Sequence, residues 1–305
     1  MMSKTLLILF SVLLVGCLPT GVGRKLYTSP SFPVDQPIAP SQALAAGGKF
    51  IILEDQPGEL IWLRGLSARV VDEAGNGRSD EFQGYSTLDF YLAQWHNEKF
   101  GTTQSLRLFG FGNGVSRIQF PTGFGLALKS NEPLWLTTRV VNPFSDRPNE
   151  TLQQKVSLDF VRERGLETPM RPLLARAVTA AVGENLEWKV PSGGSSVRTD
   201  ITASLGLLAP TRLHAATLWL ERYGRRVVLR DTTLGADLLT LEAETSESGR
   251  ISSLQSFSSE EGVLLDPAHR YEIETSYTNP TSQSIRGVGY LMFYVHDSNF
   301  RKPAR

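Results

Sequence analysis

Apolar and polar residues alternate along most of the chain beyond residue 50. In segments 134–140, 156–160, 273–277 and 288–294, alternate positions are mainly apolar. A period of two places such residues together on one face of a β-strand. Glycine- and asparagine-rich turns, such as the one at 75–77, separate these segments at short intervals. Because short strands joined by frequent turns favour sandwiches and barrels, the pattern predicts an all-β protein.

The chain also divides into two halves. Segment 165–172 contains two prolines and separates one group of predicted strands from the next. A predicted strand that ends in Asn142-Pro143 has a counterpart in the second half that ends in Asn279-Pro280. Repeated patterns of this kind indicate related structural units, and a length of 305 residues fits two domains. We therefore predict two tandem β-sandwich domains with these bounds: 49–168 and 169–305.

Two segments depart from the alternating pattern. Segment 173–182 is rich in alanine and leucine and predicts one or two helical turns. Segment 109–114 contains three glycines, as phosphate-binding loops do. Strand-like sequence follows it, however, where a phosphate site requires the N-terminus of a helix. We therefore predict a tight β-turn there.

The N-terminal residues have the features of an export signal. Lys4 supplies a positive charge, and residues 6–15 form an apolar stretch that is too short to span a bilayer as a helix. The four residues at 14–17, Leu-Val-Gly-Cys, resemble the bacterial lipobox, in which the cysteine is acylated and the chain is cut before it. The sequence therefore predicts a lipoprotein signal peptide at 1–16 and lipid attachment at Cys17.

The segment after this signal predicts a tether and a location. Residues 17–48 contain five prolines and four glycines without apolar periodicity, which predicts a flexible tether between lipid and folded body. Leu18 stands where an aspartate would commonly signal retention in the inner membrane. We therefore predict a cell-envelope protein held in the membrane by its lipid, on the outer membrane facing the periplasm rather than on the inner membrane.

Composition limits the possible chemistry. Basic and acidic residues number 31 each, so the formal net charge is zero and gives no reason to expect nucleic acid as a partner. Cys17 is the only cysteine, which excludes an intrachain disulfide framework and a multi-cysteine zinc site. The four histidines form no H-x-H or H-E-x-x-H motif, and no serine lies in a G-x-S-x-G motif.

Several segments together resemble the copper type II, ascorbate-dependent monooxygenases, the family of peptidylglycine α-hydroxylating monooxygenase. Their order and spacing carry the resemblance across residues 50–298. The resemblance implies two successive jelly-roll β-sandwich domains and two copper sites. The main segments are Trp62-Leu63-Arg64-Gly65, Ser86-Thr87-Leu88-Asp89-Phe90, Phe120-Pro121-Thr122-Gly123, Tyr277-Thr278-Asn279 and Gly287-Val288-Gly289-Tyr290.

The sequence lacks most of the copper ligands that this family uses. The family binds one copper with three histidines and the other with an H-x-H pair and a methionine. Tyr85 occupies a slot where relatives often carry a ligand histidine, and Trp219 and Glu221 fill the H-x-H slots. Only Met292 matches, as a vestigial metal ligand, and a thioether without imidazole is a poor site for copper of this type. The resemblance thus implies no catalytic residue and no bound cofactor.

We therefore predict a non-catalytic envelope lipoprotein with a binding or structural role. Its partner would be another envelope protein, a peptide or a glycan. One alternative is an active copper monooxygenase with displaced ligands. A second is a carbohydrate- or peptide-binding β-sandwich, in which exposed aromatics such as Trp95 or Tyr223 would line a groove. The displaced ligands would come from the four histidines, which are His96, His214, His269 and His296.

Overall fold

The computed structural model is nearly all β and describes most of the chain. Its description covers residues 22–34, 45–78, 83–112, 114–115, 117–141, 150–182 and 185–303. Cys17 and Asn142 lie outside these ranges. Strands are numbered β1 to β21 in chain order.

The largest sheet in the described residues has ten strands and runs through both halves of the chain. Eight of them are hydrogen-bonded in the order β1-β10-β4-β8-β11-β21-β14-β18, while β2 pairs with β10 and β7 pairs with β4. The ten strands are β1 Val22–Thr28, β2 Phe32–Val34, β4 Leu60–Asp72, β7 Arg117–Gln119, β8 Phe124–Lys129, β10 Glu150–Arg162, β11 Arg171–Thr179, β14 Thr211–Leu220, β18 Phe257–Leu265 and β21 Gly289–His296.

Two smaller sheets cover the two halves of this shared sheet. A four-stranded sheet, in the order β3-β9-β5-β6, packs on the first half, and a five-stranded sheet, β13-β19-β15-β16-β17, packs on the second. Their strands are β3 Ala45–Phe50, β5 Gln83–Phe90, β6 Arg107–Gly112, β9 Leu134–Val141, β13 Gly193–Asp200, β15 Gly224–Asp231, β16 Ala236–Thr245, β17 Ile251–Leu254 and β19 Tyr271–Asn279.

Short elements complete the described structure. Strands β12 (Trp188–Val190) and β20 (Ile285–Gly287) pair with each other. Helix α1 spans Ala93–Phe100, and helix α2 spans Thr202–Leu205. A single 3-10 turn spans Glu163–Gly165. The prediction of two tandem jelly-roll-type β-sandwiches is confirmed, whereas the boundary between residues 168 and 169 stays a prediction.

Alternation of buried and exposed residues explains why the long strands form. In β10, Leu152, Val156 and Leu158 point into the core, and the alternate positions Gln153, Lys155 and Ser157 are only partly buried. One buried apolar cluster continues from the first sandwich into the second. Burying apolar side chains at about 25 cal/mol per Å² is the main stabilising contribution to such a core.

Two local expectations from the sequence are wrong. Segment 173–182 is not helical, because most of it belongs to strand β11, whose backbone pairs with β21 from Leu173 to Thr179. Backbone pairing in the sheet thus overrides the helical preference of alanine and leucine. Residues 22–34 are not a tether, because β1 and β2 pair with β10 and place Phe32 and Val34 in a small core cluster.

The expected turn at 109–114 is only partly found. Its first four residues belong to strand β6, which pairs with β5. Gly114 has a φ of +81°, a left-handed conformation that favours glycine in a turn.

The two sandwiches meet where β8 pairs with β11 in parallel, with Phe124 opposite Arg171. Beside this pair, the buried side chain of Arg176 reaches back to the first sandwich. Its Nη1 donates to the carbonyl oxygen of Thr103 and its Nη2 to the hydroxyl of Thr103, each over 2.8 Å. Its Nε donates to the carbonyl of Leu205 over 3.2 Å. The two bonds to Thr103 connect the segment that precedes β6 to strand β11 of the second sandwich.

We expect Arg176→Met to destabilise the protein by about 2–4 kcal/mol, because it removes the charged hydrogen bonds that a buried guanidinium makes to Thr103 and to the carbonyl of the buried Leu205. The free energy of unfolding from urea titration measures this. Arg225→Met is the control, since Arg225 is exposed and, among the described residues, its guanidinium donates only to the hydroxyl of Thr245; we expect a change within about 0.5 kcal/mol. Equal effects of the two substitutions would contradict the role given to Arg176.

Candidate ligand-binding site

Four side chains form one row across the outer face of the four-stranded sheet. In the strand register, Trp135 lies opposite both Lys49 and Asp89, and Asp89 lies opposite Arg107. Directly paired residues of neighbouring strands point to the same face and contact each other. Lys49, Trp135, Asp89 and Arg107 thus stand side by side, and we call them the outer-face row.

The next row along these strands is formed by small residues. Thr137 lies opposite Thr87, which lies opposite Gly110. In the row beyond, Arg139 lies opposite Tyr85. The small row therefore makes a low strip between two rows of larger side chains.

Exposed aromatic rings stand at one end of the outer-face row. Trp135 is 40% exposed and Tyr91, just beyond β5, is 47% exposed. Their ring centroids are 6.1 Å apart at an interplanar angle of 37°. The Nζ of Lys49 lies 4.4 Å from the centroid of the Tyr91 ring, within the range of a cation–π contact. Two flat apolar surfaces and a cation therefore face solvent together.

A charged hydrogen-bond network lies at the other end of the row. Asp89 accepts a hydrogen bond from Nε of Arg107 over 3.0 Å and another from the hydroxyl of Thr87 over 3.0 Å. Nη1 of Arg107 donates to the phenol oxygens of Tyr85 and Tyr290, over 3.0 and 3.1 Å. The Asp89 side chain is 13% exposed and that of Arg107 is 31% exposed, so the network borders solvent.

The second sandwich forms the wall of this site. The ring of Trp219, on β14, lies 4.6 Å from the ring of Tyr85, and the ring of Tyr290, on β21, lies 5.7 Å from it. A Cβ atom at Gly110 would come within 2.7 Å of the Tyr290 ring. Glycine is therefore required for this close approach of the two sandwiches. We call Tyr85, Asp89, Arg107, Trp219 and Tyr290 the junction cluster.

Burial changes the acidity of the tyrosines in the junction cluster. It raises the pKa of Tyr85, and the neighbouring Tyr290 raises it further. It also raises the pKa of Tyr290, although Arg107 acts in the opposite direction. Both phenols therefore stay protonated over the physiological pH range. They can accept hydrogen bonds from Arg107 and donate others.

Three residues stand at positions where the resemblance described above would require copper ligands, and the structure brings these three together. Tyr85 and Trp219 belong to the junction cluster, and the sulfur of Met292 accepts a hydrogen bond from the Tyr290 hydroxyl over 3.1 Å. Glu221 lies apart from this network, with its carboxylate 3.7 Å from the guanidinium of Arg286. Burial raises the pKa of Glu221, and Arg286 partly offsets this.

The four histidines occupy three separate places. His96 is buried and lies 3.0 Å from the carboxylate of Glu132. His269 lies 2.7 Å from the carboxylate of Asp231. His214 and His296 line the same cavity. The described part of the chain contains no group of three or more histidine, cysteine or acidic side chains that could hold a metal ion.

The aromatic residues expected to line a groove are not the ones that frame this site. Trp95 is 38% exposed on helix α1. Tyr223 packs against Gly249, where a Cβ atom would come within 1.9 Å of its ring. Sequence reasoning missed Trp135, Tyr91 and Arg107, since only the register of β3, β9, β5 and β6 places them beside Asp89.

Fold and site together define a two-domain β-sandwich protein with an aromatic and charged site where the sandwiches meet. No helix in the described ranges combines the length and apolarity needed to cross a membrane. No known protein-family profile matches the sequence, and no curated protein matches it.

Several solved structures are similar in fold. PNGase F, a glycosylasparaginase from Flavobacterium meningosepticum, matches with 11% identity over 92% of this chain and 99% of that chain, at a TM-score of 0.43. The STIV MCP matches with 10% identity over 90% of this chain and 98% of that chain, at a TM-score of 0.34. Infectious bursal disease virus VP2 matches with 9% identity over 90% of this chain and 72% of that chain, at a TM-score of 0.23.

The predicted relation to copper monooxygenases is wrong. The similar structures are those of PNGase F and virus proteins, and no family profile supports a monooxygenase. The segments that suggested it lie in strands and turns of the two sandwiches. The inference of lost copper catalysis depended on that relation and is withdrawn with it.

We expect the buried phenols to make the protein sensitive to alkali. Burial raises the pKa of six of the eight tyrosines, which are Tyr27, Tyr85, Tyr271, Tyr277, Tyr290 and Tyr294. The unfolded chain therefore releases these protons first, at about pH 10. Their contribution to stability is complete below that pH and is lost as the pH rises above it.

Tyrosinate absorbance and urea unfolding, measured across the alkaline range, check this expectation. Phenols should ionise at higher pH in the folded protein than in urea, and the free energy of unfolding should fall as they do. Ionisation of all eight tyrosines together at about pH 10 in the folded protein would contradict it.

Proposed function

We propose that the protein is a carbohydrate-binding lipoprotein of the bacterial envelope. The sugar would lie on the outer face of the first sandwich, over the outer-face row and against the junction cluster. The observation that carries the proposal is that exposed Trp135, with the exposed ring of Tyr91 beside it, stands in one row with the carboxylate of Asp89 and the guanidinium of Arg107.

The aromatic end of the row supports a sugar ligand. A sugar ring has an apolar face of C–H groups, and flat aromatic side chains bury large apolar areas while they keep a polar edge in water. Trp135 and Tyr91 present such surfaces to solvent at 40% and 47% exposure. The strand register places Trp135 beside Lys49, and Nζ of Lys49 contacts the Tyr91 ring. Fixed rings lose little conformational entropy when they bind.

The charged end supports recognition of hydroxyl groups. Asp89 can accept hydrogen bonds, and Arg107 can donate them, so together they match hydroxyls that do both. Charged partners make such bonds about twice as strong as neutral ones. The internal bonds of the cluster hold both side chains in place before a ligand arrives.

The proposed envelope location rests on the N-terminal sequence. An apolar stretch follows Lys4 and ends in a lipobox-like Leu-Val-Gly-Cys that includes Cys17. A carbohydrate-binding surface held at the membrane by a lipid would meet envelope or extracellular glycans.

We expect Trp135→Ala to weaken binding of a soluble oligosaccharide about 10- to 100-fold, because the stacking surface is lost. Asp89→Asn should weaken binding by a similar factor, because it removes the charged acceptor while it keeps the size of the side chain. Isothermal titration calorimetry measures both, with glucose, mannose, galactose and N-acetylglucosamine oligomers as probes.

Leu26→Ala is the matched control for these variants. Leu26 is 71% exposed and lies on β1, in the other sheet of the same sandwich. Its substitution should leave affinity unchanged. The proposal fails if no oligosaccharide binds, if only peptides bind, or if Trp135→Ala binds as tightly as the unmodified protein.

We expect Cys17→Ser to abolish lipid attachment and to release the protein from the membrane fraction. The full chain is expressed in a Gram-negative host, labelled with a tagged fatty acid and fractionated. Label on the unmodified protein and none on the variant is the expected result. An unlabelled wild-type protein, or a labelled Cys17→Ser variant, would rule out the anchor without affecting the carbohydrate site.

A further inference from the structure

A second site lies at the seam between the sandwiches, away from the junction cluster. It is a cavity of about 430 Å³, which we call the seam cavity. It lies beside the parallel pair of β8 and β11, where Phe124 is opposite Arg171. Cavities of this size between domains are common ligand sites.

Two imidazoles form the inner part of the seam cavity. His214 is buried, and its ring centroid is 4.0 Å from that of Phe124, which is also fully buried. Nδ1 of His214 is 3.0 Å from the carbonyl oxygen of Ser259. Because a carbonyl only accepts, Nδ1 carries a proton and Nε2 is the nitrogen left to take up a second one. His296, at the end of β21, is partly buried beside it.

Two arginines stand at the mouth of the seam cavity. The guanidinium of Arg171 lies 3.7 Å from the Phe124 ring centroid and makes no hydrogen bond or ion pair with the described residues. Nη1 of Arg212 donates to the carbonyl oxygens of Glu261 and Gly262, over 3.1 and 3.3 Å. These backbone bonds position a cation at the mouth without neutralising its charge.

The remaining charges around the imidazoles are acidic. Glu260 and Glu261, on β18, are exposed and line the mouth, and neither forms an ion pair with a described residue. Asp297 follows His296 and acts on it electrostatically. When both histidines are neutral, the positive charges of the two arginines and the negative charges of the two glutamates that line the cavity sum to zero. Protonation of both histidines changes this balance to a net charge of about +2.

We propose that the seam cavity binds a compact anionic group, such as a carboxylate or a sulfate, and that it does so as His214 and His296 take up protons. The arginines would meet the anion at the mouth and the imidazolium groups would meet it inside. This site is independent of the carbohydrate site, and either can exist without the other.

The charges around the cavity agree with a coupling between anion binding and proton uptake by the two histidines. Burial lowers the pKa of His214; the hydrogen bond to the carbonyl of Ser259 raises it, and His296, Arg171 and Arg212 lower it. Burial also lowers the pKa of His296, where Asp297 raises it and Arg171 lowers it. An anion among these groups removes the repulsion and raises both pKa values. Binding must therefore take up protons, and affinity must rise as the pH falls.

Sulfate is the probe, because its charge does not change over the range in which histidine titrates. Calorimetry of the full chain at about pH 8 and about pH 5.5, on either side of the ordinary histidine pKa, should show sulfate binding at least about tenfold tighter at the lower pH. Repeating the titration in buffers of different ionisation enthalpy measures the protons taken up, which we expect to number between one and two.

Single substitutions separate the contribution of arginine to sulfate affinity from the contribution of the histidines to its pH dependence. Arg171→Gln should weaken sulfate binding at both pH values and keep the pH dependence. His214→Gln and His296→Gln should each reduce the pH dependence. Because His214 is buried, thermal unfolding of each variant is measured first, and His296→Gln carries the test if His214→Gln does not fold.

His269→Gln is the matched control, since His269 pairs with Asp231 and does not line the seam cavity. It should bind sulfate as the unmodified protein does at both pH values. The proposal is overturned if sulfate does not bind, if its affinity does not change with pH, or if His296→Gln retains the full pH dependence. None of these results would affect the oligosaccharide titrations.

Discussion

The parallel pairing of β8 with β11 is the constraint on which the rest of the structure depends. It joins two antiparallel halves into one ten-stranded sheet, so the two sandwiches are connected through backbone hydrogen bonds as well as through side chains. Strand β6 of the first sandwich then lies against β11, β14 and β21 of the second. Both sites lie along this contact. The junction cluster is on the side of β6, and the seam cavity is beside the parallel pair itself.

Polar groups buried at this contact must satisfy one another, and this makes its geometry specific. Arg176 directs two donors across the boundary to Thr103, and Arg107 directs one to Tyr290. A buried donor or acceptor left without a partner costs about 1–3 kcal/mol. A change in the angle between the sandwiches that broke these hydrogen bonds would therefore destabilise the protein. The same bonds therefore hold the junction cluster in the arrangement that a ligand would meet.

The sequence predicts the fold class better than it predicts the site. Alternation identifies strands such as β10 and β19, because one face of each is buried. It fails at β11, where Ala175 and Ala177 suit a helix until pairing with β21 is known. The site is harder still, since Trp135, Asp89 and Arg107 are far apart in sequence and meet only through strand register.

Chemistry at the two sites differs because the surrounding charges differ. In the junction cluster, Arg107 is already paired with Asp89, and the buried phenols stay neutral, so the cluster offers directed hydrogen bonds with little net charge. Such a surface suits a neutral ligand with many hydroxyls. In the seam cavity, Arg171 has no acidic partner among the described residues and the imidazoles can gain charge, so the field there changes with pH. The ten-stranded sheet carries the seam cavity and one wall of the junction cluster, and the four-stranded sheet carries the other residues of that cluster.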